Sequence, residues 1–219
     1  MNDPSLRLAL LERQYHEYLV HRDAAGFERK VARHYAPATL ERLLVAGPRL
    51  TRRAAAMALG LVGRYDSNMA LGRALHDEDR GVRLLAESSL RNVWCRDGSP
   101  AQQQQLAEVI RLNSTQQCQA AIAQASDLIA SAPTLAEGWN QRAIAYYACS
   151  RYVESLHDCR EALRLNAFHF GAAAGLGQCH LQLGDQRAAL ECFRRALQIN
   201  PVLEGIRANV SALERKLKG

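Results

Sequence analysis

The chain has 219 residues, of which 48% are apolar and 23% charged, with a net charge of +6 at neutral pH. That apolar share supplies a sizeable core and excludes a disordered chain, while no stretch approaches the roughly 18 uninterrupted apolar residues of a membrane span. The charge surplus is mild, with 16 Lys and Arg against 12 Asp and Glu over residues 1–100 and 12 against 10 over residues 101–219. It permits an acidic partner or nucleic acid without arguing for either.

The opening Met1-Asn2-Asp3-Pro4 has no basic segment and no apolar run behind it, so no secretory signal is read there and a cytoplasmic protein is expected. Asp3 followed by Pro4 predicts a helix start, and Leu8, Leu11, Tyr15, Tyr18 and Leu19 carry helical spacing to about residue 21. A shorter helix over 24–35 presents Phe27, Val31 and Tyr35. Residues 1–36 are read as an N-terminal helical cap, the atypical end that a stacked array needs.

From Pro37 the pattern changes. The stretch Thr51-Arg52-Arg53-Ala54-Ala55-Ala56-Met57-Ala58-Leu59-Gly60 aligns with Val82-Arg83-Leu84-Leu85-Ala86-Glu87-Ser88-Ser89-Leu90 at a shift of 31 residues. Between them a short helix, Asn68 to His76, ends before Asp77-Glu78-Asp79. Residues 37–97 resemble HEAT-like repeats, whose second helix follows an acidic turn. The resemblance implies that Asp77 and Arg83 belong to an internal polar ladder.

Asp97-Gly98-Ser99-Pro100 is a boundary, with a Gly stop followed by a Ser cap and Pro in the first turn. Beyond it the chain repeats. Leu156-His157-Asp158-Cys159-Arg160-Glu161-Ala162-Leu163-Arg164-Leu165-Asn166-Ala167 matches Leu190-Glu191-Cys192-Phe193-Arg194-Arg195-Ala196-Leu197-Gln198-Ile199-Asn200-Pro201 at a shift of 34 residues. Residues 170–203 supply Leu176-Gly177, Gly184, Ala189, Phe193, Ala196 and Pro201. Residues 136–169 supply Trp139, Tyr146 and Ala162, with Ser150, Ser155 and Cys159 in the Gly, Ala and Phe slots. One period upstream stand Ala121, Leu128 and Pro133, with Gln116 in the turn slot. This pattern resembles the tetratricopeptide repeat, and it covers 99–219 together with a final helix on which Leu203, Ile206, Val210, Leu213 and Leu217 form the dry face. The expected fold is therefore all-α, a right-handed α-solenoid of stacked helical hairpins, HEAT-like and then tetratricopeptide.

No phosphate loop, nucleophile elbow or metalloprotease motif is present, so no catalytic residue, no metal site and no cofactor is expected. Six cysteines at 95, 118, 149, 159, 179 and 192 are scattered without a Cys-x-x-Cys spacing. They read as reduced thiols packed as small apolar residues, with no disulfide.

The resemblance to tetratricopeptide proteins implies that the first helix of each repeat lines a groove for a peptide or helix. By register this names Glu137, Asn140, Gln141, Ile144 and Tyr147 from one repeat and Gly171, Ala174, Gly175, Gln178, Leu181 and Gln182 from the next. Amides that both donate and accept suit a bound backbone, although the same pattern also describes plain solvated helix faces. The carboxylate clamp of one sub-family has its slots filled here by Leu106, Ile110, Gln141, Gly171 and Gly175, which supply no cation. The function expected is a non-catalytic scaffold or adaptor for a protein or peptide partner. The alternative is a nucleic-acid-binding helical repeat using Arg49, Arg52, Arg53, Arg80, Arg83 and Arg91, which lack the interleaved aromatics of single-strand binding. A third, weaker reading is an enzyme or lyase subunit, since some HEAT-like proteins assist pigment attachment.

Overall fold

A computed structural model describes residues 4–218, with side chains from residue 10 onward. All regular elements among them are helical. The chain divides into two compact units, Met1–Arg96 and Asp97–Gly219, each built of antiparallel helical hairpins. The expected cap at Asp3 and the side chain of Leu8 lie outside the described residues.

In the first unit α1 (Pro4–His21) and α2 (Ala24–His34) fold back on one another, and both lie against α4. They are followed by α3 (Pro37–Ala46), α4 (Arg49–Val62), a 3₁₀ turn at Tyr65–Ser67, α5 (Asn68–Ala74) and α6 (Arg80–Cys95). Helix α4 touches α1, α2, α3 and α6, and it can do so because Ala54, Ala55, Ala56 and Ala58 are fully buried along it. Small side chains let four neighbours approach one axis. Helices α4 and α6 approach closely at Gly60, where an added Cβ would run into the Ser89 side chain. Ser89 Oγ in turn donates to the Ala56 carbonyl at 2.8 Å.

The acidic turn before α6 is an internal ladder. Arg52 forks onto Asp77 at 2.8 and 3.0 Å, and Arg53 onto Asp79 at 2.6 and 2.7 Å. Arg83 donates to the carbonyls of Asp77 and Glu78 at 2.7 and 2.9 Å. Asp79 also caps α6 by accepting from the Val82 N–H at 3.0 Å. The Arg53 guanidinium beside it holds the Asp79 carboxyl down to about 2, against the opposing effect of burial. Because its ordinary value is about 3.9, the stability Asp79 contributes is complete above about pH 4 and is lost as pH falls towards about 2. Acid titration of the full chain by circular dichroism is therefore expected to show a transition in that window that Asp79→Asn removes. An identical acid profile in the variant would show that the ladder does not govern it.

The second unit runs α7 (Pro100–Ser114), α8 (Cys118–Ser131), α9 (Ala136–Ala148), α10 (Tyr152–Leu165), α11 (Phe170–Gln182), α12 (Gln186–Ile199) and α13 (Glu204–Lys218). Ser99 starts it with a full capping box, its hydroxyl accepting from the Gln102 N–H and the Gln102 side chain accepting from the Ser99 N–H. The pairs α7–α8, α9–α10 and α11–α12 are hairpins, and α13 lies on α12. The residue that reverses each hairpin takes a left-handed conformation: Gln116 at φ 58°, Ser150 at φ 59° and Gly184 at φ 82°. Repeat-equivalent Asn166 and Asn200 close α10 and α12 by accepting from the N–H groups two residues on. Within the α9–α10 hairpin Arg142 lies 5.0 Å over the Trp139 ring and forks onto the buried Asp158 at 2.7 and 3.0 Å.

One expectation is overturned here. Cys118 and Cys149 are joined in a disulfide, with Cα atoms 6.0 Å apart. Helices α8 and α9 run antiparallel, so the first residue of α8 meets the residue that caps α9. Spacing along the chain carries no trace of that meeting. Cys95, Cys159, Cys179 and Cys192 are not joined in disulfides.

Candidate functional site

The groove positions lie on α9 and α11, whose faces are brought together by a polar network. Its centre is the carboxylate of Glu137, only 8% of whose side chain is accessible. Oε1 accepts from Gln141 Nε2 at 2.6 Å and from Asn140 Nδ2 at 3.1 Å, and Oε2 faces His169 Nε2 at 2.9 Å. The His169 Nδ1 accepts from the Ala172 N–H at 3.1 Å, so His169 is both the cap of α11 and the donor to Glu137. The network reaches α7 through Asn113, which donates to the carbonyl and to Oε1 of Gln141, both at 2.9 Å. Burial pushes the Glu137 carboxyl up, but the His169 bond and charge and the two amides outweigh it, and the net shift is downward.

The structure thus corrects the expected groove wall in several places. Glu137 and Asn140 are 6% and 8% exposed and serve the α9–α11 junction instead of facing outward. Leu181 packs onto Ala189, Leu190, Phe193 and Leu213, and Ala174 onto the core between α10 and α11. A side chain added at Gly175 would meet the Cys159 Sγ at 2.9 Å, so this glycine faces α10 and does not open a floor. Gly171 is half-buried beside His169 and Asn140. The physical reason is common to all of them. Register fixes which helix face a residue occupies, and the depth of the neighbouring helix decides whether that face is wet.

What remains accessible is a smaller patch. Ile144 is 45% exposed, Gln182 is exposed, and Gln141, Tyr147 and Gln178 are half-buried. Gln182 Nε2 donates to the Tyr147 hydroxyl at 3.1 Å, which ties the far ends of α9 and α11 together. The Tyr147 ring stands edge-on to Tyr152 at 5.4 Å. His169, central to the site, lies outside the groove positions that register names. It had a visible signal, because Leu135 and Leu203 occupy the same slot one repeat away on either side.

Four of the six arginines behind the nucleic-acid alternative are engaged within the first unit. Arg52 and Arg53 pair with Asp77 and Asp79, Arg83 is held by the carbonyls of Asp77 and Glu78, and Arg91 pairs with Glu87, while Arg49 and Arg80 lie exposed. Among the described residues no group of three or more His, Cys, Asp or Glu could hold a metal ion, and no helix is long and apolar enough to cross a membrane.

Comparison with known proteins gives two family matches. The HEAT repeats model matches residues 36–126, and the tetratricopeptide repeat model matches residues 172–201. A TPR repeat-containing protein of Rhizobium etli is 31% identical over 93 residues, covering 42% of this chain and 46% of the relative. The chain carries a tetratricopeptide repeat at residues 172–201. The HEAT match extends past Arg96 over α7 and much of α8, the hairpin whose tetratricopeptide residues are the sparsest. The Hsp70-Hsp90 organizing protein of Triticum aestivum is 30% identical over 86 residues, covering 39% of this chain and 15% of its own length. The chain therefore spans less than half the length of these curated relatives. Among solved structures, the first tetratricopeptide domain of Spaghetti (RPAP3), bound to the HSP90 peptide SRMEEVD, superposes with a TM-score of 0.53 at 17% identity. It covers 56% of this chain and 97% of that one. The Sgt2 tetratricopeptide domain of Aspergillus fumigatus gives 0.52 at 17% identity, covering 55% and 81%. At that identity the likeness is one of fold.

Proposed function

We propose that this protein is a non-catalytic adaptor, and that the unit from Asp97 to Gly219 captures an extended peptide or a helix across α9 and α11. The observation that carries this reading is the patch of Ile144, Tyr147, Gln178 and Gln182, in which an exposed apolar side chain sits beside amides and a hydroxyl joined across two helices. An apolar anchor surrounded by groups that both donate and accept suits a ligand with its own backbone to satisfy. The peptide bound by the Spaghetti domain and the role named for the wheat relative lend support by analogy of fold. The clamp slots hold Leu106, Ile110, Gln141, Gly171 and Gly175, so the partner is held without a cationic grip on a carboxylate.

The test is selection of peptides from a displayed library against the full chain, followed by affinity measurement on variants. Ile144→Glu places a charge at an exposed position, so the fold should be retained while affinity falls about 30-fold, the scale of one interface anchor. Tyr147→Phe, which keeps the ring and removes the hydroxyl, should cost less, about threefold to tenfold. The opposing control is the apolar cleft between α3 and α5, where Val45 and Met69 are 67% and 54% exposed. If Val45→Glu and Met69→Glu abolish capture and Ile144→Glu does not, binding lies on the HEAT-like unit and this reading fails.

A further inference from the structure

The three hairpin turns of the second unit are equivalent in register but are not built alike. In the third, Gly184 takes the left-handed conformation without a Cβ, and Asp185 caps α12 by accepting from the Ala188 N–H at 2.9 Å. In the first two, Gln116 and Ser150 hold that conformation with side chains, and Gln117 and Arg151 make no side-chain cap bond to α8 and α10. These are the two turns that the disulfide joins, since Cys118 lies two residues after Gln116 and Cys149 one residue before Ser150. One repeat on, Tyr152 and Leu183 stand where the two cysteines would be. The core beneath the bond is small, with Leu112, Ala121, Ile122 and Ala145 buried and Tyr146 partly so.

The geometry points to Cys118–Cys149 as a thiol–disulfide exchange site for small thiols of the glutathione class, one whose reduction loosens the α7–α8 hairpin while leaving α11–α13 folded. Both cysteines are half-buried and reachable. They also differ in environment. Cys118 is the first residue of α8, where the helix dipole favours a thiolate, whereas Cys149 caps the C-terminal end of α9, where the dipole opposes one. The better leaving group is therefore Cys118. An incoming thiolate attacks the Cys149 Sγ, the bond between the two cysteines breaks, and its electron pair leaves on the Cys118 sulfur, which takes up a proton. A second thiolate then attacks the small-molecule sulfur of the mixed disulfide, and the Cys149 sulfur leaves with the electron pair and takes up a proton. The products are two protein thiols and one oxidised small-molecule disulfide, so the protein gains two electrons and the two small thiols lose them. Cys159 and Cys179 are buried in the core, where burial pushes the Cys159 thiol up to about 12, and burial also raises the thiol of half-buried Cys192, while Cys95 is half-buried in the first unit.

The test uses the full chain with glutathione as the probe. Brief exposure to reduced glutathione, followed by alkylation and mass spectrometry, should find the glutathionyl group on Cys149 and the alkyl group on Cys118. Hydrogen exchange after full reduction should accelerate at least tenfold over residues 112–131 and stay unchanged over α11 and α12. The melting transition of this unit should fall by roughly 10 °C, the scale for opening a loop of this length. A Cys118→Ser/Cys149→Ser variant should match the reduced protein, and adding Gln116→Gly with Gln117→Asp, which copies the third turn, should regain most of the lost protection. Six free thiols in protein equilibrated with oxidised glutathione, or exchange and melting indifferent to reduction, would overturn the proposal. A glutathionyl group found only on Cys118 would overturn the order of attack.

Discussion

Glu137→Ala is expected to destabilise the second unit by about 3–5 kcal/mol, the scale of leaving several buried hydrogen-bond donors without their acceptor. The loss comes less from the missing carboxylate than from the donors it leaves behind. His169 cannot turn to another acceptor, because its Nδ1 is held by the Ala172 N–H and its Nε2 points at Glu137. Asn140 and Gln141 lose the same acceptor, and the junction is closed to water, with His169 1% exposed. Glu137→Gln keeps a carbonyl for one donor but turns an N–H₂ group towards another, so it should lie between wild type and alanine. The carboxyl is held below its ordinary value of about 4.3, so its contribution is present above that pH and lost as pH falls through the folded value. Glu137→Gln should therefore flatten the acid limb of the unit's stability. Urea unfolding followed by hydrogen exchange in α9 and α11 reads both effects. A cost below about 1 kcal/mol for the alanine variant would show that water replaces the carboxylate and that the network is peripheral.

The second large effect lies between α11 and α12. Phe193 is fully buried, and a Cβ built at Gly177 would run into three atoms of its ring. Glycine costs an α-helix about 1 kcal/mol against alanine, and its presence in mid-helix reflects this approach. Phe193→Ala should cost about 3–5 kcal/mol through lost burial and the cavity left behind. Gly177→Ala in the native background should cost about 1–3 kcal/mol, because a close-packed ring cannot step aside. The two should be strongly non-additive. In the Phe193→Ala background the new methyl enters space the ring vacated, so Gly177→Ala should be neutral or stabilising by up to about 1 kcal/mol. Denaturant midpoints of the four proteins complete the cycle. Additive costs would mean the glycine serves the backbone and not the ring.

Sequence by itself determined the elements and their order. Leu156 and Leu190 begin matching segments, Ser99-Pro100 starts α7, and the acidic turn at Asp77–Asp79 precedes α6, because helix periodicity, caps and repeat period are properties of neighbours in the chain. Register also named the helices that carry the candidate site. Tertiary structure decided which of their residues are wet. Glu137 reads as a surface carboxylate until His169, one repeat later, meets it at 2.9 Å. Gly175 reads as an opening until Cys159 is found behind it. Cys118 and Cys149 read as separate packed thiols until antiparallel α8 and α9 place their Cα atoms 6.0 Å apart. Each of these depends on what stands across a gap of some 16 to 32 residues. Contacts at that range are fixed by how deeply packed helices settle into one another, and side-chain volume throughout the unit sets that depth.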